Sequence, residues 1–264
     1  MKICSIASGS SGNCVYVGHE DMHFLVDAGI SAKRMEEGLR SLKVEPAELK
    51  GIFITHEHSD HIQGLCVFSK KYSVPIYATE ETIGAMKRVS GFEKLGQDLF
   101  HKVLPDRIEN IDGVEIEPFS ISHDAACPVS YTFSCEGHKI AMATDLGCYD
   151  AYTVSKLSGA EVLYLEANHD YNMLMVGKYP YQLKQRVAGN RGHLSNEAVA
   201  ELIGELLHCD LKHIILAHMS KENNYQELAY ETVRATLLTK WQFEQELPHI
   251  VVANRNCPID EIIV

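Results

Sequence analysis

The chain has 264 residues, 45% of them hydrophobic and 23% charged, a globular balance that excludes a disordered chain and allows a sizeable core. A formal net charge of −12 counts against a broad exposed nucleic-acid surface, although bound divalent ions and a few local basic residues can still hold phosphates. No basic leader precedes an apolar stretch and no apolar run nears the roughly 20 residues that span a bilayer, so a cytoplasmic protein without membrane contact is expected.

In chain order, Ile3 to Ile6, Cys14 to Val17 and His23 to Val26 read as an opening antiparallel series, followed by a helix from Ser31 to Ser41. Ile52 to Ile54 is a short strand, Ile62 to Lys71 a helix, Val74 to Ala78 a strand and Glu80 to Val89 a helix. Strands then dominate: Val114 to Ser120, Ser130 to Cys135 and Lys139 to Thr144 form a meander with Glu136-Gly137 as a turn. The remainder alternates, with helix Ala151 to Leu157, strand Val162 to Leu165, helix Asn196 to Leu207, strand Ile214 to Ala217, helix Gln226 to Thr239 and strand Ile250 to Ala253. This pattern predicts an α/β protein whose sheets are covered by helices. Nothing marks a linker, so a single domain over residues 1–264 is expected. Eight cysteines, at positions 4, 14, 66, 127, 135, 148, 209 and 257, form no CxxC pair and read as reduced, mostly buried thiols.

The chemistry concentrates between Thr55 and His61, Thr-His-Glu-His-Ser-Asp-His, directly after an apolar strand. Imidazole and carboxylate are the donors that borderline divalent metals take, and a rigid strand can fix them. His56 and His58, two apart, point to one side of an extended segment, with Asp60 and His61 beyond them. Four such donors exceed what one catalytic ion with an open position uses, which points to a second ion. The alternative is a polar turn capping a helix that begins near Ile62, with Asp60 as its N-cap. A two-metal site needs donors from elsewhere, and three further strands end in one: His123, Asp145 and His218. Singly each reads as a turn residue or helix cap; together with the loop they read as one site.

At this point the chain resembles the metallo-β-lactamase superfamily. Its His-x-His-x-Asp-His signature is met by His56, His58, Asp60 and His61, and its later ligand positions by His123, Asp145 and His218. Asp27 matches the aspartate that supports the metal loop from behind. The resemblance implies a four-layer αβ/βα sandwich of two mixed sheets with helices outside. It implies two divalent ions, Zn, Mn or Fe, one held by His56, His58 and His123, the other by Asp60, His61 and His218, with Asp145 as bridge. An aspartate rather than a cysteine at position 145, and the presence of His61, separate the chain from the best-known β-lactamases. His58 and the lack of a flavodoxin-like domain separate it from flavodiiron proteins.

Ser8-Gly9-Ser10-Ser11-Gly12-Asn13-Cys14, Leu165-Glu166-Ala167-Asn168-His169-Asp170 and Gly192-His193-Leu194-Ser195-Asn196 resemble the YycJ/WalJ-like branch. That branch implies a phosphodiesterase acting on DNA as a 5′-to-3′ exonuclease. The residues fit a phosphate site: a helix opening at Ser195-Asn196 favours an anion, and His193 can donate to a phosphate oxygen or a leaving alkoxide. His193 is thus a catalytic candidate, with Asp60 and Asp145 steadying the nucleophile. Ser10, Asn13, Asn168, His169 and Ser195 are candidate substrate contacts. Lys178, Lys184, Arg186 and Arg191, interleaved with Tyr171, Tyr179 and Tyr181, form the one segment suited to grip nucleic acid, by phosphate neutralisation and base stacking. The expected partner is therefore a nucleic acid, DNA first, with no stable protein partner. A lactone or thioester hydrolase would share the ligands, as would an RNA-processing nuclease, although no insertion long enough for an RNA-binding arm is present. A non-catalytic regulator is disfavoured by the complete ligand set.

Overall fold

Runs of aliphatic and β-branched residues form β1 (Lys2–Ala7), β2 (Cys14–His19) and β3 (Met22–Val26) in a computed structural model that describes residues 1–264. They pair antiparallel in sequence, as the opening series predicts. Helix α1 (Ala32–Ser41) follows, capped by the Ser31 hydroxyl, which accepts from the Arg34 N–H. Strand β4 (Leu49–Phe53) lies parallel to β3 and leads into the Thr55–His61 segment.

The helix expected from Ile62 to Lys71 is instead two, α2 (Ser59–Ile62) and α3 (Leu65–Tyr72). Gly64 separates them because its N–H turns to the Ala28 carbonyl, and a Cβ there would lie 1.9 Å from the Ile30 carbonyl oxygen. Next come β5 (Ile76–Ala78), α4 (Glu80–Met86), and two strands that the sequence pattern did not distinguish from loop, β6 (Phe100–Lys102) and β7 (Glu109–Ile111). Strands β8 (Val114–Ser120) and β9 (Val129–Cys135) pair antiparallel, with β7 on the far side of β8. Glu136 and Gly137 both take positive φ, 52° and 86°, as tight turns require.

The chain then builds β10 (His138–Ala143), α5 (Ala151–Leu157), β11 (Val162–Glu166), two short helices α6 (Tyr171–Val176) and α7 (Tyr181–Val187), α8 (Asn196–Leu206), β12 (His213–Ala217), α9 (Gln226–Lys240) and β13 (His249–Val252). Strands β10, β11, β12 and β13 pair parallel in that order. The chain ends in β14 (Ile262–Ile263), antiparallel to β1. Helices α6 and α7 fall where the sequence read as loop.

Two compact units result: Met1–Ser120 with Ala125–Gly137 and Asn254–Ile263, and Ile121–Asp124 with His138–Ala253 and Val264. In the first, a mixed sheet runs β14-β1-β2-β3-β4-β5-β6. Its core is aromatic: the Phe53 ring lies 5.4 Å from Tyr131 and 5.9 Å from both Phe24 and Phe133, so β9 packs on β3 and β4. Each of these side chains is buried, contributing roughly 2 to 3 kcal/mol apiece. In the second unit, α8 and α9 pack together and bury Val199, Leu202, Ile203, Val233 and Leu237. No helix is long and apolar enough to cross a membrane. The eight cysteines are free thiols, but only Cys4 and Cys14 are buried, correcting the expectation that most would be.

Candidate metal centre

In the first unit the extended segment after β4 does what its spacing predicts. His56 and His58 bring their rings to 4.5 Å, and His61 brings its own to 4.1 Å from His56. Glu57 faces the other way, where its carboxylate accepts the Ala126 N–H. Helix α2 starts inside the loop with His58 as N-cap, so Asp60 lies in its first turn rather than capping it. The Asp60 carboxylate is 3.6 Å from His61 Nε2.

Asp27, at positive φ (61°) just beyond β3, organises these rings from behind. It accepts the Thr55 N–H (2.9 Å), the Thr55 hydroxyl and His61 Nδ1–H (2.7 Å). Because the Thr55 hydroxyl donates to Asp27, it accepts from His56 Nδ1, 3.0 Å away. In their neutral forms both imidazoles then carry the lone pair on Nε2. Asn13, expected to contact substrate, instead clamps the loop. Its amide nitrogen lies 3.1 Å from His61 Nε2 and 3.3 Å from the Asp60 carbonyl, and its carbonyl accepts the Gly9 N–H. Its backbone N–H also donates to the Asp60 carbonyl, while Gly29 donates to the Asn13 carbonyl. Gly29 must be glycine for this clamp, since a Cβ would sit 1.6 Å from the Asp60 oxygen. Ser10 is exposed at the tip of the same loop.

In the second unit the parallel register sets the geometry. Ala143 pairs with Leu165, Leu165 with Leu216 and Glu166 with Ala217, so Asp145, Glu166 and His218 emerge at one edge. Asp145 and His218 both sit in the left-handed region, φ 57° and 50°, a conformation that costs free energy and recurs at functional sites. Asp145 Oδ1 lies 3.5 Å from His218 Nε2 and 3.7 Å from His123 Nε2, too far for strong hydrogen bonds. His123 donates Nδ1–H to the Gly192 carbonyl (3.2 Å), and His218 donates Nδ1–H to Glu166 (3.2 Å). In the neutral ring of each, the lone pair then lies on Nε2. Burial pushes the His123 pKa down, against the pull of Asp145, which favours the neutral form a metal needs.

Glu166 is the residue whose importance the sequence left understated. Fully buried, it accepts the Leu146 and Leu194 N–H groups at one oxygen and His193 and His218 Nδ1 at the other. Burial alone would raise its pKa, but the His193 charge and the hydrogen bonds from His193 and His218 outweigh it and hold it at about 2. The reciprocal effect raises the pKa of His193 despite its burial. An apolar strand ending in a carboxylate, Val-Leu-Tyr-Leu-Glu, is the signal that could have found it. Asp145, Glu166, His193 and His218 each offer a donor atom within 4.8 Å of the others.

The remaining candidates are structural in their contacts. Asn168 donates to the His218 carbonyl, and buried His169 accepts the Asn196 N–H on its carbonyl. Ser195 caps α8, accepting the Ala198 N–H. Of the basic segment, Arg186 pairs in bidentate fashion with Asp124, and Arg191 donates twice to the His123 carbonyl. These two arginines hold the His123 loop, correcting the expectation that they reach outward for phosphate.

Buried imidazoles whose Nδ1 is tied to oxygen, beside carboxylates, are the donor chemistry of a divalent metal site. A model of the beta-lactamase superfamily domain matches residues 23–219. The chain belongs to the metallo-β-lactamase superfamily. Within it, Exodeoxyribonuclease YycJ of Bacillus anthracis is 39% identical over 235 residues, 89% of this chain and 88% of that protein. Exodeoxyribonuclease WalJ of Streptococcus pneumoniae is 38% identical over 233 residues, 88% of this chain and 87% of that protein. These place the chain in the YycJ/WalJ-like branch of the superfamily. Among solved structures, Zn2+-bound PqqB of Methylobacterium extorquens superposes with a TM-score of 0.72 at 13% identity, over 98% of this chain and 100% of that one. At that identity the likeness concerns the fold alone, and it agrees with the expected α/β class of two mixed sheets with helices.

Proposed function

We propose that the chain is a dinuclear metal-dependent phosphodiesterase that degrades DNA from the 5′ end. The observation that carries this reading is the identity of 39% over 89% of the chain with a protein named an exodeoxyribonuclease, joined to donor chemistry suited to metal. In this reading His56, His58, Asp60, His61, His123, Asp145 and His218 are ligands of two divalent ions, with Asp145 shared, and the chain works as one domain. The superfamily match, which runs through both units, supports that assignment. When bound, ions of this kind lower the pKa of water and polarise a phosphoryl oxygen.

The chain's own residues do the rest. Glu166 fixes the His193 ring through Nδ1 at 2.9 Å, so Nε2 is the atom that gives a proton to the leaving oxygen. Asp60 and Asp145 orient the attacking water. Asn13 and Asn168 hold the ligand loops in register, and Ser10 is the exposed hydroxyl for a substrate phosphate.

The test is incubation of purified protein with 5′- and 3′-labelled DNA and RNA strands, with Mn or Zn added and chelator as control. Stepwise loss from the 5′ end of DNA, abolished by chelator and by His58→Ala in a folded variant, is expected. Turnover of lactones or thioesters with no strand cleavage would overturn the reading.

A further inference from the structure

The His193 ring is fixed by a hydrogen bond in which Nδ1–H donates to Glu166 at 2.9 Å, and a ring tied at one atom can still swing about that bond. What aims Nε2 is therefore the backbone that carries the ring. That backbone leaves a solvent-facing turn: Asn190 and Arg191 are exposed, and burial begins only at Gly192. Turns of this kind move unless something ties them down.

The tie is a reciprocal clasp with the segment that carries His123, all of it within the second unit. The Arg191 guanidinium donates from Nε (3.3 Å) and Nη2 (3.1 Å) to the His123 carbonyl, and His123 Nδ1–H donates back to the Gly192 carbonyl (3.2 Å). Two neighbouring residues thus grip the backbone and the ring of one histidine, which fixes direction as well as distance. On the same turn, the Ser122 hydroxyl donates to the Asn190 carbonyl (2.7 Å). Gly147 packs so close that a Cβ there would lie 2.3 Å from the Asn190 oxygen and 2.6 Å from the Arg191 nitrogen. Beyond the clasp, the His193 N–H donates to the Val187 carbonyl and the Leu194 N–H to Glu166. The His193 ring comes to rest 5.3 Å from the ring of His123 and 5.3 Å from that of His218.

We infer that Arg191 is a positioning residue for His193: by clasping His123 it sets where Nε2 points when the leaving oxygen takes its proton. With Nε and Nη2 turned to a carbonyl, the guanidinium acts on the chemical step and so on kcat, not on KM. This rests on the nuclease reading and names what orients the proton donor of that site.

The test compares DNA, whose departing sugar alkoxide needs a proton, with bis-p-nitrophenyl phosphate, whose p-nitrophenolate leaves without one. Metal-loaded Arg191→Met should lose about 100-fold in kcat on DNA, the scale of a misplaced reacting group, at an unchanged KM. On the nitrophenyl diester it should lose no more than about fivefold, because no proton donor is called on there. Arg191→Lys, which keeps the charge and one donor group, should fall between the two, and it supplies the same comparison should Arg191→Met not fold. In the metal-free protein the Gly192, His193 and Leu194 amides of the variant should exchange hydrogen about tenfold faster, with those of β11 unchanged. Equal losses on both substrates would make Arg191 a support of His123 alone and overturn the inference. A raised KM at unaltered kcat, or exchange at the wild-type rate, would overturn it as well. A wild type that cleaves neither diester removes the phosphodiesterase reading, while the exchange comparison still decides whether Arg191 holds His193.

Discussion

At the residue scale, the metal reading depends less on which residues are histidines than on how each ring is held. Asp27 shows this most directly. Its carboxylate accepts the Thr55 backbone and hydroxyl as well as His61 Nδ1, so one side chain fixes the tautomer of His61 directly and of His56 through Thr55. Asp27→Asn keeps the size but loses one acceptor edge, and groups of this kind typically tune metal affinity by about 10- to 100-fold. A loss in that range, measured by competition with a chromophoric chelator while the circular dichroism spectrum stays native, is expected; unchanged affinity would show that the aspartate does not set the rings. The ligand candidates themselves were legible from donor types at strand ends. The left-handed backbone at Asp27, Asp145 and His218 was not, because an aspartate or histidine after a strand adopts either sign of φ until hydrogen bonds decide it. Nor was the role of Asn13, whose partners Asp60 and His61 lie 47 and 48 positions away.

At the scale of elements, the two ends of the parallel strands behave differently. At the site end, Ser195 begins α8 and was expected to touch substrate, but its hydroxyl is engaged as the N-cap. Ser195→Ala should therefore lower unfolding free energy by about 1 kcal/mol and leave KM for DNA unchanged; a raised KM at unaltered stability would restore the substrate role. At the opposite end, Glu161 joins three strands. Its N–H donates to the Lys139 carbonyl, its carbonyl accepts from Lys212 and His213, and its carboxylate binds Lys212 and His138. Partial burial raises its pKa, yet the Lys212 and His138 bonds prevail and place it below the ordinary value of 4.5. A depressed carboxyl contributes stability above its unfolded pKa and loses it as pH falls through the folded one. Glu161→Gln should thus cost about 1 kcal/mol at pH 7, and the gap to wild type should close below about pH 4.5, as read from urea unfolding at stepped pH. Long elements such as α9 and β8 were legible because hydrophobic spacing persists over several turns or pleats. Helices α6 and α7, six and seven residues long, offer too few periods, and their exposed apolar side chains break the pattern that buried faces create.

At the scale of the whole molecule, acidic excess and metal binding are linked. With 36 acidic residues against 24 Lys and Arg, removing bound cations would increase the net negative charge of the folded state and bring carboxylates and aligned imidazoles into a site built around positive charge. Ligand groups so arranged do not exist in the unfolded chain, so metal binding adds to folding stability by mass action, about 2.7 kcal/mol at a free metal concentration 100 times Kd. For a chain of this size that corresponds to a melting temperature lowered by roughly 5 to 10 °C on chelation, recovered on adding Mn or Zn. The Asp27→Asn variant should show a smaller shift at the same free metal concentration, because less of it is loaded. A melting curve indifferent to chelator in both proteins would mean that the imidazoles and carboxylates at the strand ends hold one another without an ion, and the metal-dependent mechanism would fall with it.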